Sequence, residues 1–293
     1  MKKKVLLGLL ALTMSITAFG CTKTPTTAKD VTYEDLKTST EKAYKDIKSG
    51  KIEMPLNADI VGTPIDDNSE YTNHNADADI NVVTVFDDNT IYMTVNWSGQ
   101  TAPINANKEI YIDYSVKDKA LMYVKYSDVW LGTEGSLEDF LSVITSEMLG
   151  YVDFDITENT SFDVFSNDTT IKTKDDSYIV SGTWKGVEMF DILNEYSNNS
   201  LDMYKSMITS YLDTVTITIK NTYNNNKVLN KVNVSVDVSD LNFMDVQSID
   251  ADMDMEIAIS DINQLQVEIP ADVIENVIFQ EIDYEDMILD ILD

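Results

Sequence analysis

The sequence contains no arginine: all 21 of its cations are lysines, set against 51 acids, for a formal charge of −30. Arginine is the side chain that grips phosphate and carboxylate with a planar two-donor fork. A chain that lacks it and carries this much negative charge repels phosphate over its whole surface, which makes it a poor partner for nucleic acid and for anionic substrates. Histidine occurs once, at His74, and cysteine once, at Cys21. One imidazole cannot form a metal site unaided, and no serine nucleophile motif accompanies it. His74 lies among Asn, Asp and Thr and reads as a loop residue. Glycine and proline are also scarce, with 10 and 5 residues. No linker rich in Gly, Pro or Ser interrupts residues 31–282, which are therefore read as one domain. An apolar run long enough to span a bilayer, about 20 residues, is missing as well.

The longest apolar stretch instead sits at the start. Three lysines at positions 2–4 precede the mostly apolar residues 5–19, which end at Gly20 and Cys21. This is the layout of a secretory signal, with a charged start, an apolar middle and small residues at the cleavage site. A cysteine directly after Gly20 resembles a bacterial lipobox. That resemblance implies cleavage between Gly20 and Cys21 and a diacylglyceryl group on Cys21. Residues 1–20 are then the signal, and residues 21–30 are the lipidated cysteine and a flexible tether. With Cys21 under lipid, the domain has no thiol for a disulfide, a zinc site or a nucleophile. It must be held by its core alone, and 43% apolar residues allow one. Loss of three lysines with the signal takes the charge to −33, so the anchor works by lipid insertion and not by attraction to anionic headgroups.

Beyond the tether, periodicity assigns the elements. Tyr33, Leu36, Thr40, Tyr44 and Ile47 fall on one helical face, with Thr32 as N-cap and Glu34 and Asp35 in the first turn. A period of two then predicts strands over 51–62, 75–87, 89–98, 109–116 and 119–126. Trp130 leads to a second helix, capped by Ser136, with Leu137, Phe140, Leu141, Ile144 and Met148 in its stripe. Strands follow over 161–173 and 177–184. A third helical stretch opens at Gly186 and runs through Val187, Phe190 and Leu193 to Tyr211, with a break at 198–200. Strands over 214–220, 228–238 and 249–260 come next, then a short helical turn at 271–277 and an acidic tail at 283–293. Turn sequences separate neighbouring strands, among them Asp87-Asp88-Asn89 and Asn224-Asn225-Asn226. Short connections make the sheet antiparallel, and alternation on one side makes one face wet. A long antiparallel sheet curls as it twists. The expected fold is therefore α+β: a large curled antiparallel sheet, a half-barrel of about ten strands, with three to four helices on its concave face.

This order of elements resembles the LolA/LppX-like lipoprotein fold, and more closely a family of uncharacterised Gram-positive lipoproteins. Four stretches carry the likeness: Gly20-Cys21, residues 110–132 (IYIDYSVKDKALMYVKYSDVWLG), residues 178–193 (YIVSGTWKGVEMFDIL) and residues 267–277 (VEIPADVIENV). The resemblance implies a protein anchored on the outer face of the cell membrane, whose sheet and helices enclose an apolar cavity for lipid chains. It brings no catalytic residues and no cofactor.

Two constellations remain. Asp250-x-Asp252-x-Asp254-x-Glu256 looks like the start of a calcium loop, but the sixth position is Met255 where such a loop needs glycine. On a strand this spacing puts all four carboxylates on one wet face, where weak cation binding is the sharper alternative. Met93, Trp97, Trp130, Trp184, Met189, Phe190, Met253 and Met255 are the candidate cavity lining, since Met adapts to flexible apolar ligands. Ordinary core is the plainer reading of the same residues. The expected function is thus non-enzymatic: a lipid-anchored extracytoplasmic protein that binds an apolar, lipid-like ligand. The alternative is a structural or interaction lipoprotein with a filled core, serving an envelope, sporulation or germination complex.

Overall fold

Alternation with a period of two governs most of the chain, and in the computed structural model those stretches are hydrogen-bonded into a single sheet. The structure describes residues 26–28, 31–65, 73–100, 107–117, 119–141, 164–166, 169–196, 205, 209, 211–243 and 247–279. Cys21, Gly20 and most of the second expected helix lie outside them. The strands are β1 (Thr26–Thr27), β2 (Gly50–Pro64), β3 (His74–Phe86), β4 (Thr90–Ser98), β5 (Asn107–Asp113), β6 (Ala120–Tyr126), β7 (Val129–Gly135), β8 (Ile171–Lys174), β9 (Ser177–Lys185), β10 (Val215–Tyr223), β11 (Leu229–Phe243), β12 (Gln247–Ser260) and β13 (Ile278–Phe279). The helices are α1 (Tyr33–Tyr44), α2 (Gly186–Tyr196) and α3 (Ala271–Asn276), and residues 137–141 are also helical. The fold is α+β, with a large open sheet and few helices.

The strands stand in the order β1-β8-β9-β10-β11-β12-β2-β3-β4-β5-β6-β7-β13. Neighbours are antiparallel except β13, which runs parallel to β7 at the edge. Two meanders, β2 to β7 and β8 to β12, meet where β12 pairs with β2 in register from Gln247↔Pro64 to Ser260↔Lys51. Ten of these strands match the expected ones. The three further strands are the two-residue edges β1 and β13, and β7. Residues 129–135 carry two glycines and read as a connection, yet they pair fully with β6. Of the expected strand 161–173, residues 161–163 and 167–168 lie outside the described ones; β8 is Ile171–Lys174, which pairs with β9. His74 opens β3 instead of lying in the preceding loop.

One face of the sheet, termed the core face here, meets α1. Ile52, Phe86, Ile91, Ile112, Met122, Val232, Ile257 and Ile259 share one buried core with Leu36 and Tyr44 of the helix. Capping explains why α1 starts where it does. The Thr32 hydroxyl accepts from the Asp35 amide at 3.2 Å while the Asp35 carboxylate accepts from the Thr32 amide at 3.0 Å, satisfying two otherwise orphaned donors. That amide bond, above all, holds the Asp35 carboxyl below its ordinary pKa. Two contacts then fasten the helix to the start of β11. The Tyr44 hydroxyl donates to the Leu229 carbonyl, and the Leu229 amide donates to the Thr40 hydroxyl at 3.0 Å.

The opposite face, the back face, is covered over β4 to β7 by the segment after β12. Its backbone is pinned by the Asn263 amide on the Ser49 carbonyl at 2.8 Å, by the Leu265 amide on the Ser49 hydroxyl at 3.1 Å and by the Val267 amide on the Asp87 carboxylate at 2.8 Å. Val267, Ile269, Val273 and Val277 then close over Tyr111 and Tyr123. α3 belongs to this strap, so it lies on the back face, away from the other helices. Gly132 is required beneath it: a Cβ there would stand 2.7 Å from Val277 Cγ2 and 2.9 Å from Phe279 Cε1.

Candidate functional site

Strand register decides which candidate residues meet. On the core face, Trp97, Ile80, Leu56, Met255, Val234, Ile219 and Gly182 form one row across seven strands, each residue opposite the next. The neighbouring row runs Ala78, Ala58, Met253, Val236, Ile217, Trp184. Four of the eight candidates therefore lie in two adjacent rows. Met93 shares their face, opposite Thr84 and Ile110. Met189 and Phe190 sit on α2, which follows Trp184 directly. Sequence alternation placed these side chains on one face of each strand, but only the register lines the strands up.

Trp130 does not join them. It pairs with Lys125, which puts it on the back face. There its ring lies 5.7 Å from Tyr111, which stacks on Tyr92 at 4.5 Å. Lys125 lies over the Trp130 ring at 5.7 Å and pairs with Glu109, a contact that raises the lysine pKa. Trp130 thus belongs to an aromatic cluster under the strap and not to the candidate lining. Nor does it stand at a strand-to-helix junction, since β7 continues beyond it. Trp184 does occupy such a junction.

Burial separates the remaining candidates. Met93, Met189, Phe190 and Met255 are buried, and Phe165 meets the Trp184 ring edge-on at 5.5 Å. Trp97 and Met253 are half-buried, farther from α1. At that end the core face reaches solvent, where Ile60 is 44% exposed. The Trp97 indole N–H is buried and has no hydrogen-bond partner among the described residues. Sequence reasoning missed Lys108, which is 4% exposed, pairs with Val95 and so lies on the core face. Its ammonium stands 5.0 Å from the centre of the Tyr126 ring.

The two faces differ in charge. Among the described strand residues, no Asp or Glu falls on the core face, and Lys108 is its one lysine. The back face carries a row of directly opposed aspartates, Asp237, Asp252, Asp59 and Asp77, across four strands. An open groove of about 480 Å³ lies at the end of β2 and the start of β3, lined by Asp59, Asp77 and Asp79 of the back face together with Ala58, Ile60 and Ala76 of the core face. A second, of about 350 Å³, lies at the β8–β9 turn beside Asp175 and Asp176. Neither has the apolar lining of a lipid site. Among the described residues, no group of three or more His, Cys, Asp or Glu side chains is placed to hold a metal ion. No helix among them is long and apolar enough to cross a membrane.

The profile of a family of unknown function, DUF6612, matches residues 32–278. The chain belongs to that family. The match takes in the sheet from β2 through the first residue of β13, together with α1 and the strap. No curated protein matches the chain. Among solved structures it is similar to GphF Dehydratase 1, at 6% identity over 79% of this chain and 86% of that one, with a TM-score of 0.11. So slight a likeness carries no argument about fold or activity.

Proposed function

We propose that this DUF6612 protein is a non-enzymatic lipoprotein, anchored through Cys21 on the outer face of the cell membrane, that binds a lipid-like ligand on the core face of its sheet. One observation carries the reading. A chain with 51 acids keeps every carboxylate of the described strands off that face. It fills two adjacent rows there with Met, Trp, small and aliphatic side chains, an adaptable apolar surface. Curling of the sheet into a LolA/LppX-like half-barrel, with α1 and α2 on its concave side, would turn those rows into a channel. Protein purified from membranes should then release acyl lipid on organic extraction, beyond the lipid bound to Cys21, and should bind a fluorescent fatty acid. Failure of both measurements sinks the proposal.

A second reading has its own support. Met93, Met189, Phe190 and Met255 are buried within the protein, and polar residues predominate in the lining of both grooves. These facts favour a filled core and a structural or interaction lipoprotein. Under that reading the extract holds only the Cys21 lipid.

A further inference from the structure

The chain joins the sheet at one edge, and it joins in a fixed direction. Thr26 and Thr27 pair antiparallel with Thr173 and Lys172, and the Ala28 amide donates to the Ile171 carbonyl at 2.9 Å. Ala28 and Val31 pack against the core behind them. β8 runs from Ile171 toward the turn at Asp175 and Asp176, so β1, followed back toward the N-terminus, leaves the sheet at that turn. Asn225 of the β10–β11 turn lines the same groove as Asp175 and Asp176. Register extends this end across the other strands, where Ser260 meets Lys51, Gly50 meets Phe86 and Ala120 meets Gly135. At the opposite end the core face reaches solvent beside Ile60. Five Cα steps separate Cys21 from Thr26, a span of at most about 18 Å. β11 has 15 residues and runs about 50 Å at about 3.3 Å per residue. A lipid on Cys21 is therefore held to the near end and kept from the far one.

We infer that β1 orients the domain on the membrane: the end of the sheet with the β8–β9 and β10–β11 turns faces the lipid surface, and the end where the core face opens faces away. This rests on the lipid anchor at Cys21 proposed above and adds an orientation to it. Charge agrees with the geometry. At the near end lysines meet the acids: Lys48 pairs with Asp88 at 3.6 Å, Lys119 with Glu134 at 2.6 Å and Lys227 with Asp35 at 3.7 Å. The directly opposed aspartates of the back face, Asp59 and Asp252 among them, stand toward the far end. A bilayer with anionic lipids has a negative surface potential, which repels the far end more than the near one. Whatever meets the open core face then arrives from the side away from the bilayer.

Full-length lipidated protein, placed in vesicles of phosphatidylcholine and phosphatidylglycerol that carry a nitroxide on some head groups, tests the inference. Cys21 holds its lipid through sulfur, so one introduced cysteine is the only free thiol and takes a bimane label. Asn225→Cys and Ser239→Cys are exposed positions near opposite ends of β11. Short-range quenching by the nitroxide should be several-fold stronger at Asn225→Cys than at Ser239→Cys. A long Gly/Ser insert after Thr24 lengthens the tether without touching the fold, and it should bring the two labels toward equality. Equal quenching at both ends, or stronger quenching at Ser239→Cys, in protein that floats with the vesicles overturns the inference and leaves the anchor standing. Protein that does not float with them overturns both. Asn226→Cys, on the same exposed turn, supplies the near-end label if Asn225→Cys fails to fold.

Discussion

Asp252 stands directly opposite Asp59 where the two halves of the sheet join, and each has a further aspartate on its other side, Asp237 and Asp77. Like charges facing each other across strands are destabilising. Replacing Asp59 by Asn removes two such oppositions and should raise stability by about 0.5 kcal/mol in dilute buffer. Salt should shrink the gain, since exposed charges are screened within about 10 Å at 0.1 M. Thermal melts of Asp59→Asn at low and high ionic strength check both points. A gain unchanged by salt would show that repulsion is not its source.

Asp87 should hold the strap. One carboxylate oxygen accepts from the Asn89 and Thr90 amides, both at 2.8 Å, and the other accepts from Val267. Asp87→Ala loses all three at once and should cost about 2 kcal/mol, the order expected for hydrogen bonds to a charged group. Hydrogen exchange should speed up first over residues 265–279. Gly132→Val should loosen the same segment by pushing Val277 and Phe279 away, with Asp87 intact. Unchanged exchange in both variants would mean that the strap is held by other contacts.

Five tyrosines tie stability to alkaline pH. Burial pushes the Tyr111 hydroxyl up to about 12 and raises Tyr44, Tyr92, Tyr114 and Tyr123 as well. Each is neutral when protonated, and its unfolded counterpart ionises near 10. The contribution is therefore whole below pH 10 and is lost as pH rises through the folded values. Denaturant midpoints should fall steadily from about pH 10 to 12. Absorbance titration should resolve a late class of tyrosines, whose members ionise with unfolding. A single transition near 10 in folded protein would refute the claim.

The anchor is tested most simply. On the proposed reading Cys21→Ser should move the protein from the membrane fraction to the medium, because two acyl chains on Cys21 would supply stable anchoring by themselves, at about 0.8 kcal/mol per buried CH2. Retention of Cys21→Ser in the membrane fraction would show that something other than the lipid holds it.

How far the sequence could be read depended on the range of the interactions. Local signals were sufficient for α1, where Thr32 and the spacing of Leu36, Thr40 and Tyr44 lie within one short stretch. They were sufficient too for the aspartates of β12, whose alternation set them on the wet face. β7 was missed because one of its glycines answers to a segment nearly 150 residues later: Gly132 is small so that Val277 and Phe279 can lie on it. The side of the sheet that Trp130 occupies depends on pairing with Lys125, and alternation alone does not fix pairing. Lys108 drew no notice because a lysine in a strand ordinarily faces water. Of the candidate site, the Met and Trp content was legible. The rows that gather Trp97, Trp184, Met253 and Met255 needed the order of strands.

That order also sets a timetable for folding. β2, the first long strand, can complete its pairing only when β12, the last long one, has been made. Closing so long a loop costs little more entropy than closing one of half the length, about 0.6 kcal/mol per doubling, but pairing between distant residues slows folding. Until it happens, each meander has an open edge and a bare apolar face, the two features that lead chains to aggregate. The aspartates that weaken the finished seam sit along those same edges, where they keep one unfinished chain from pairing with another.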